Sequence, residues 1–223
     1  MSNEALLFIE AFVVFGAMLG VNKLFGKAGL MAWVPVVAIL ANIQVNESVN
    51  LFGFSATLGN VLFASSFLAT DILSECYGKQ YAKTAVKMGI AFMVVFLVMS
   101  QFTLWFTPNE IDVARPSLEG LFTLSIRTTL ASLTMYAIAN MADVWLFDKL
   151  SQAMNGEKLW LRNNLSTIIC NGLENFGFVF LAFYGVFPVA DLLSIALVTC
   201  LIETIIALLD TPFLYLARKQ NAK

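Results

Sequence analysis

Glu174 follows Asn171 by three residues inside one long apolar run, and Glu203 interrupts another. A carboxylate accepts hydrogen bonds, whereas a side-chain amide both donates and accepts them. At about 100° per residue, positions three, four and seven apart share one face of a helix. By that spacing Asn60, Phe67, Asp71 and Glu75 align, as do Asn164, Thr167, Asn171, Glu174 and Phe178. Thr199, Glu203 and Asp210 form a third stripe, and Tyr136, Asn140 and Asp143 a fourth. Four stripes, each on its own apolar segment, predict one polar cavity that binds a solute. The plainer reading makes Asn60, Thr167 and Thr199 hydrogen-bond glue between helices, worth about 0.6 kcal/mol each. It suits Glu174 and Glu203 poorly, because an ionised group in mid-membrane costs about 2.5 kcal/mol or more without a partner. Asp71 also lies too deep for mere decoration. Glu75 is equally well read as a helix end paired with Lys79, one turn on. Phe178 and Tyr184 can stack on a planar ligand, although most phenylalanines in such helices are packing bulk.

The elements that carry these residues must span a membrane. The chain has 223 residues, of which 59% are hydrophobic and only 13% charged, and its mean hydropathy is +0.80. No soluble domain of this size is so apolar. A formal charge of -2 implies no nucleic-acid partner. There is no histidine, which excludes haem, histidine metal sites and Ser-His or Cys-His catalysis. Cys76, Cys170 and Cys200 are odd in number and widely spaced, so neither a disulfide framework nor a zinc site is expected. Without a GxGD around any aspartate, an aspartyl intramembrane protease is not indicated either. The expectation is a protein that is not an enzyme, with no catalytic residue, cofactor or metal.

About 20 apolar residues cross a bilayer as a helix. Seven stretches qualify, roughly 5–24, 29–46, 56–76, 82–106, 121–147, 161–187 and 190–217. No Lys or Arg precedes Lys23, so the first is read as a permanent helix and not a signal peptide. No linker divides the chain, so residues 1–223 are expected to form one domain. The fold class is an all-α membrane protein, a bundle of about seven transmembrane helices. Lys23, Lys27, Lys79, Lys83, Lys87, Lys149, Lys158, Arg162, Arg218, Lys219 and Lys223 fall on one side by this division, eleven of the thirteen basic residues. Basic connections face the cytoplasm, which places the N-terminus outside and the C-terminus inside. Gly78 is a candidate helix cap. Gly16 and Gly20 form a GxxxG whose partner is another helix or a second copy, hence a homodimer. Arg127 near the outer end either snorkels or pairs with a neighbouring helix. Glu10 has no evident partner.

Four segments carry a family resemblance: FLATDILSECYGKQYAKTAVKMG at 67–89, RTTLASLTMYAIANMADVWLFDKL at 127–150, LRNNLSTIICNGLENFGFVFLAFYG at 161–185 and DTPFLYL at 210–216. In order and spacing they resemble the queuosine precursor transporter family, also called the vitamin uptake transporter family. The resemblance spans roughly residues 30–218 and implies a six-helix core, with the first helix here an addition. It implies import of 7-deazaguanine precursors of the tRNA nucleoside queuosine across the bacterial inner membrane. The positions that match the family's motifs are Asn42, Asp71, Arg127, Asp143, Arg162, Asn163, Ser166, Asn171 and Glu174. The family pattern carries Asp at 174, Thr at 175 and Lys at 203, where this chain has Glu174, Asn175 and Glu203.

A 7-deazaguanine offers a ring N–H and an exocyclic amine side by side, next to a carbonyl. One carboxylate accepts both donors and an amide donates to the carbonyl, which assigns those roles to Glu174 and Asn171. Glu203 would suit a precursor bearing a protonated amine, such as the aminomethyl compound or queuine, better than the neutral nitrile. The expected substrate-binding set is therefore Asn42, Asp71, Arg127, Asp143, Asn171, Glu174, Glu203 and Phe178, with Glu75 and Lys79 at an inner gate. The partners are a purine-like small molecule and membrane lipid. A rival reading is the substrate-binding membrane subunit of an energy-coupling-factor importer, for which the AxxxA at Ala28 and Ala32 would be the docking face.

Overall fold

The computed structural model describes residues 2–122 and 126–221. Lys223 and residues 123–125, inside the expected fifth span, lie outside the described residues. In a bilayer every backbone polar group must be satisfied within its own segment, so apolar stretches become helices. The order is α1 (Asn3–Gln44), β1 (Ser48–Leu51), β2 (Phe54–Thr57), α2 (Asn60–Cys76), α3 (Lys79–Trp105), α4 (Arg115–Phe122), α5 (Ile126–Ala153), α6 (Leu159–Phe183) and α7 (Val189–Asn221).

The first two expected spans are the two arms of α1. They meet at Gly26, whose φ of 57° and ψ of -139° break the helix, a conformation open essentially to glycine alone. The arms fold back on each other: Gln44 Nε2 donates to Glu10 Oε1 at 3.1 Å across 34 residues. That bond supplies the partner for Glu10. Replacement Gly26→Ala is expected to destabilise the protein by about 1–3 kcal/mol, measured as a lower midpoint of thermal unfolding in detergent.

α1, α3, α5, α6 and α7 are each long and apolar enough to cross a membrane, and α1 does so with both arms. α2 has 17 residues, about 26 Å. It lies at the centre, packed against α1, α3, α5, α6 and α7, and is buried from Asn60 through Leu73 except at Phe63. The all-helical bundle thus agrees with the expected fold class, and the protein is a multi-pass membrane protein.

The β1–β2 hairpin replaces what hydropathy reads as plain connection. Ser48 pairs with Thr57 and Leu51 with Phe54, and Phe52 and Gly53 both take positive φ, the turn that suits a two-residue hairpin. The hairpin anchors the chain start: Asn3 Nδ2 donates to the Asn50 carbonyl and the Phe52 N–H to Glu4 Oε1, each at 3.0 Å. The α4 segment and the α6–α7 connection lie at this same end. The Gly26 turn, Tyr77–Gly78, residues 154–158 and the end of α7 make up the opposite, basic end.

Gly16 and Gly20 face outward and meet no other helix among the described residues. Phe12, Val13, Val95, Trp105 and Leu201 are exposed, as lipid-facing residues are.

Candidate functional site

The four polar stripes fall on α2, α5, α6 and α7, and the structure turns them inward. Asp71, Asp143, Asn163, Asn140 and Asp210 are all 0% exposed, and Asn171 is 1%. They do not form one ring, however. α6 and α7 are tied at two levels, by Asn163 Nδ2 to Asp210 Oδ1 at 2.9 Å and by Asn175 Nδ2 to Glu203 Oε2 at 2.6 Å. Glu203 and Asp210 are seven residues apart and Asn163 and Asn175 twelve, so the levels are separated by about 10 Å along α7 and about 18 Å along α6.

The level toward the hairpin end gathers Glu174, Asn175, Glu203, Tyr136 and Asn171. Glu174 is within electrostatic reach of Glu203 and of Tyr136. Both amide atoms of Asn171, Glu174 Oε2 and Tyr136 Oη are buried without a hydrogen-bond partner. Such atoms each forgo about 1–3 kcal/mol, and a polar ligand would satisfy them. Tyr136 packs against α1 and α3 with Ala38 and Met93, where Gly89 leaves it room: a Cβ there would collide with the Tyr136 hydroxyl.

The second level holds Asp71, Asp143, Asp210 and Asn163. Asp71 is within electrostatic reach of Asp143, Asp210 and Arg162. The Ser166 hydroxyl beside Asp143 donates to the Asn163 carbonyl.

Below it, the basic end is bolted. Arg162, 1% exposed, places Nη2 2.8 Å from Glu75 Oε2 and 3.2 Å from the Gly156 carbonyl. Its Nη1 donates to Ser151 Oγ at 2.5 Å, and its guanidinium lies over the Phe147 ring at 5.1 Å. Arg218 Nε stands 3.5 Å from Glu75 Oε1, so α2, α6 and α7 share one ionic knot. Lys79 Nζ meets Asp148 Oδ2 at 2.6 Å and joins α3 to α5. Tyr77 Oη lies 2.5 Å from Asn221 Oδ1 and 3.1 Å from Asn22 Oδ1, and partial burial pushes its phenol above the usual range.

Two expectations are corrected. Glu75 does not pair with Lys79. α2 ends at Cys76, the backbone swings through Gly78 at φ 109°, and Lys79 starts a new helix that faces α5. Gly78 thus closes α2, its N–H bonded to the Leu73 carbonyl at 2.8 Å, and at once opens α3. Nor is the polar region a hollow ringed by all eight expected residues. A cavity of about 290 Å³ lies toward the hairpin end, lined by Asn42, Phe96, Ser100, Gln101, Phe122 and Thr129 among others. Asn42 is therefore apart from the carboxylates, its amide donating to the Ala38 carbonyl. Arg127 is exposed and donates to the carbonyls of Leu181 and Tyr184 at 2.7 and 2.8 Å, which caps the orphan carbonyls at the end of α6. Phe178 packs edge-on against Phe183, in a cluster with Val179, Leu192 and Ala196. Thr199 bonds to its own helix, at Ile195, and Asn60 to Thr57 next to it.

Asn175 and Asp210 lie at these two levels and Tyr136 within electrostatic reach of Glu174, although sequence reasoning did not assign them roles. Asn175 is one turn beyond Asn171 on the same stripe, a signal that was available. Tyr136 and Asp210 lay on recognised stripes but had no partner visible in sequence.

Buried, unpartnered carboxylates and amides on four converging helices, closed at one end by ion pairs, make this a multi-pass membrane protein of the transporter class. A family model described as "Putative vitamin uptake transporter" matches residues 57–217, and the chain belongs to that family, as its motifs imply. It is 34% identical over 220 residues to the "Probable queuosine precursor transporter" of Bacillus subtilis (strain 168), covering 98% of this chain and 96% of that one. It is 28% identical over 178 residues to the "Queuosine precursor transporter" of Escherichia coli (strain K12), covering 78% of this chain and 77% of that one. The first arm of α1 therefore has a counterpart in the Bacillus relative. No solved structure matches the chain.

Proposed function

We propose that this protein imports a queuosine precursor, a 7-deazaguanine, across the bacterial inner membrane by alternating access. The observation that carries the reading is the Asn171–Glu174 pair. On one face of α6 it sets an amide with both atoms unpartnered beside a carboxylate with a buried, unpartnered oxygen. Glu174 accepts the ring N–H and exocyclic amine, and Asn171 donates to the carbonyl. Glu203, held by Asn175, supplies a second carboxylate for a protonated amine, so the aminomethyl precursor or queuine is preferred over the nitrile. The basic end faces the cytoplasm, where the Glu75–Arg162–Arg218 knot and the Lys79–Asp148 pair form the inner gate. Asn42 lines the outer approach.

The test is restoration of queuosine in tRNA of a strain unable to make the precursors, fed each one at low concentration. The expected result is restoration by the wild-type gene and none by Glu174→Ala. Preference for the nitrile together with a harmless Glu203→Gln would overturn the amine assignment. Gly89→Ala, which favours a helix by about 1 kcal/mol, is nonetheless expected to impair restoration, because the new methyl displaces Tyr136. Unimpaired restoration would remove Tyr136 from the site.

One observation favours a second reading. Ala28 and Ala32 line an outward-facing groove with Val21, Phe25, Gly29, Trp33 and Val36, a surface on which the coupling subunit of an energy-coupling-factor importer could dock. Uptake by the purified protein alone in liposomes separates the readings, since an importer subunit moves nothing without its ATPase partners.

A further inference from the structure

The second level, whose Asn163 stands about 12–16 Å of helix from the Asn171–Glu174 pair on α6, has the wrong chemistry to hold the same ligand face. Asp71 Oδ1 and Oδ2, Asp143 Oδ1 and Oδ2, Asp210 Oδ2 and Asn163 Oδ1 are six buried oxygens without a hydrogen-bond donor. The Asn163 amide nitrogen is already given to Asp210. The nearby cation, Arg162, commits both terminal nitrogens to Glu75, Ser151 and Gly156, which leaves its Nε and the hydroxyls of Ser74 and Thr167 as the unpartnered donors of α2 and α6 nearest this level among the described residues. Glu75, Asp71, Asp143 and Asp210 carry four carboxyls against the guanidiniums of Arg162 and Arg218, an excess of two. Acceptors that outnumber donors, in a region that penalises unpaired charge heavily, call for a cation.

We propose that Asp71, Asp143, Asp210 and Asn163 bind the monovalent cation, a proton or sodium, whose gradient drives import. This rests on the transport reading and extends it with a site separate from that of the solute. The groups facing Asp71 are Asp143 from α5, Asp210 from α7 and Arg162 from α6, and Cys170 of α6 lies between the two levels, in reach of Asp71, Asp143 and Glu174. α1 and α3 contribute no charged group to this set among the described residues. A proton joins one carboxyl and is donated to the other across the Asp71–Asp143 pair; sodium instead takes the carboxylate and amide oxygens as ligands. Either occupant ties α2, α5, α6 and α7 together and cancels part of the excess charge, so the bundle reorients with the cation bound and not without it.

The experiment uses the full-length protein in liposomes with queuine as probe. One arm imposes an inward pH gradient at equal sodium, the other an inward sodium gradient at equal pH. The expected result is accumulation about tenfold or more above equilibration in one arm, which identifies the cation; tenfold corresponds to about 1.4 kcal/mol. In that arm Asp210→Asn, whose neutral amide removes the same excess charge as the bound cation and so lets the bundle reorient without it, falls to the equilibrated level while queuine-for-queuine exchange declines far less. Accumulation in neither arm, or an undiminished gradient response in Asp210→Asn, overturns the proposal. Failure of the wild type to exchange queuine at all instead strikes the transport reading. A second measurement stands apart from any solute. In detergent, the thermal midpoint of the wild type shifts with pH or sodium more than that of Asp71→Asn and Asp210→Asn, and identical responses in all three overturn the cation site.

Discussion

Arg162→Ala is expected to lower the stability of the folded bundle by about 3–5 kcal/mol, the usual effect of removing one partner from a buried ion pair. Glu75 is left with a 12% exposed side chain and Arg218 as its remaining partner, at 3.5 Å on a half-exposed residue. The substitution also strips Ser151 and the Gly156 carbonyl of their donor and removes a cation from the reach of Asp71. Most of the loss should come from leaving charge unpaired, and little from the intrinsic strength of the pair. Arg162→Met combined with Glu75→Gln is therefore expected to recover most of it, because matched apolar and neutral replacements of buried pairs are often tolerated. Thermal unfolding in detergent of the two single variants and the double variant measures this. A double variant as unstable as Arg162→Ala would show that Ser151 and Gly156, and not the ion pair, hold the basic end together. Lys79→Ala serves as the contrast: about a quarter of each partner is exposed there, and the expected loss is at most about 1 kcal/mol.

What the sequence made legible follows from what local periodicity encodes. Continuous apolar stretches gave the crossing segments to within about six residues at each end, because a bilayer forces each to satisfy its own backbone. The same spacing put Asp71, Asp143, Glu174 and Glu203 on inward faces. Partners were another matter. Glu75 and Lys79 are a helical turn apart in number, yet a helix break at Gly78 sends them to Arg162 and Asp148, residues distant in the chain. The hairpin at 48–57 was averaged away by a window tuned to 20-residue helices. The division into two polar levels depends on the register of α6 against α7, fixed by the Asn163–Asp210 and Asn175–Glu203 bonds. No single-helix pattern carries that register, so stripes read one at a time merged two polar levels into one. Arg127 shows the converse. A motif match made it a ligand residue, but its guanidinium closes the end of α6.

Glu174→Ala is expected to reduce queuine uptake at limiting concentration by about a hundredfold or more. Two charge-assisted hydrogen bonds of roughly 1.5–3 kcal/mol each would be lost with the carboxylate, and a hundredfold corresponds to about 2.7 kcal/mol, so part of that interaction suffices. Fold stability should hold, since Glu174 is only partly buried and its Oε2 has no partner to orphan. Selectivity is the more discriminating readout. An intact carboxylate favours a guanine-type edge with two adjacent donors over an adenine-type edge, against which it would stay unpaired. Competition by guanine-type over adenine-type analogues should therefore collapse toward equality in Glu174→Ala, even at solute concentrations that restore flux. Glu174→Gln should fall nearly as far, because an amide offers one acceptor and one donor to two donors. Were Glu174→Gln to keep both rate and selectivity, the carboxylate would not read the paired N–H groups, and recognition would have to pass to Glu203 and Asn175.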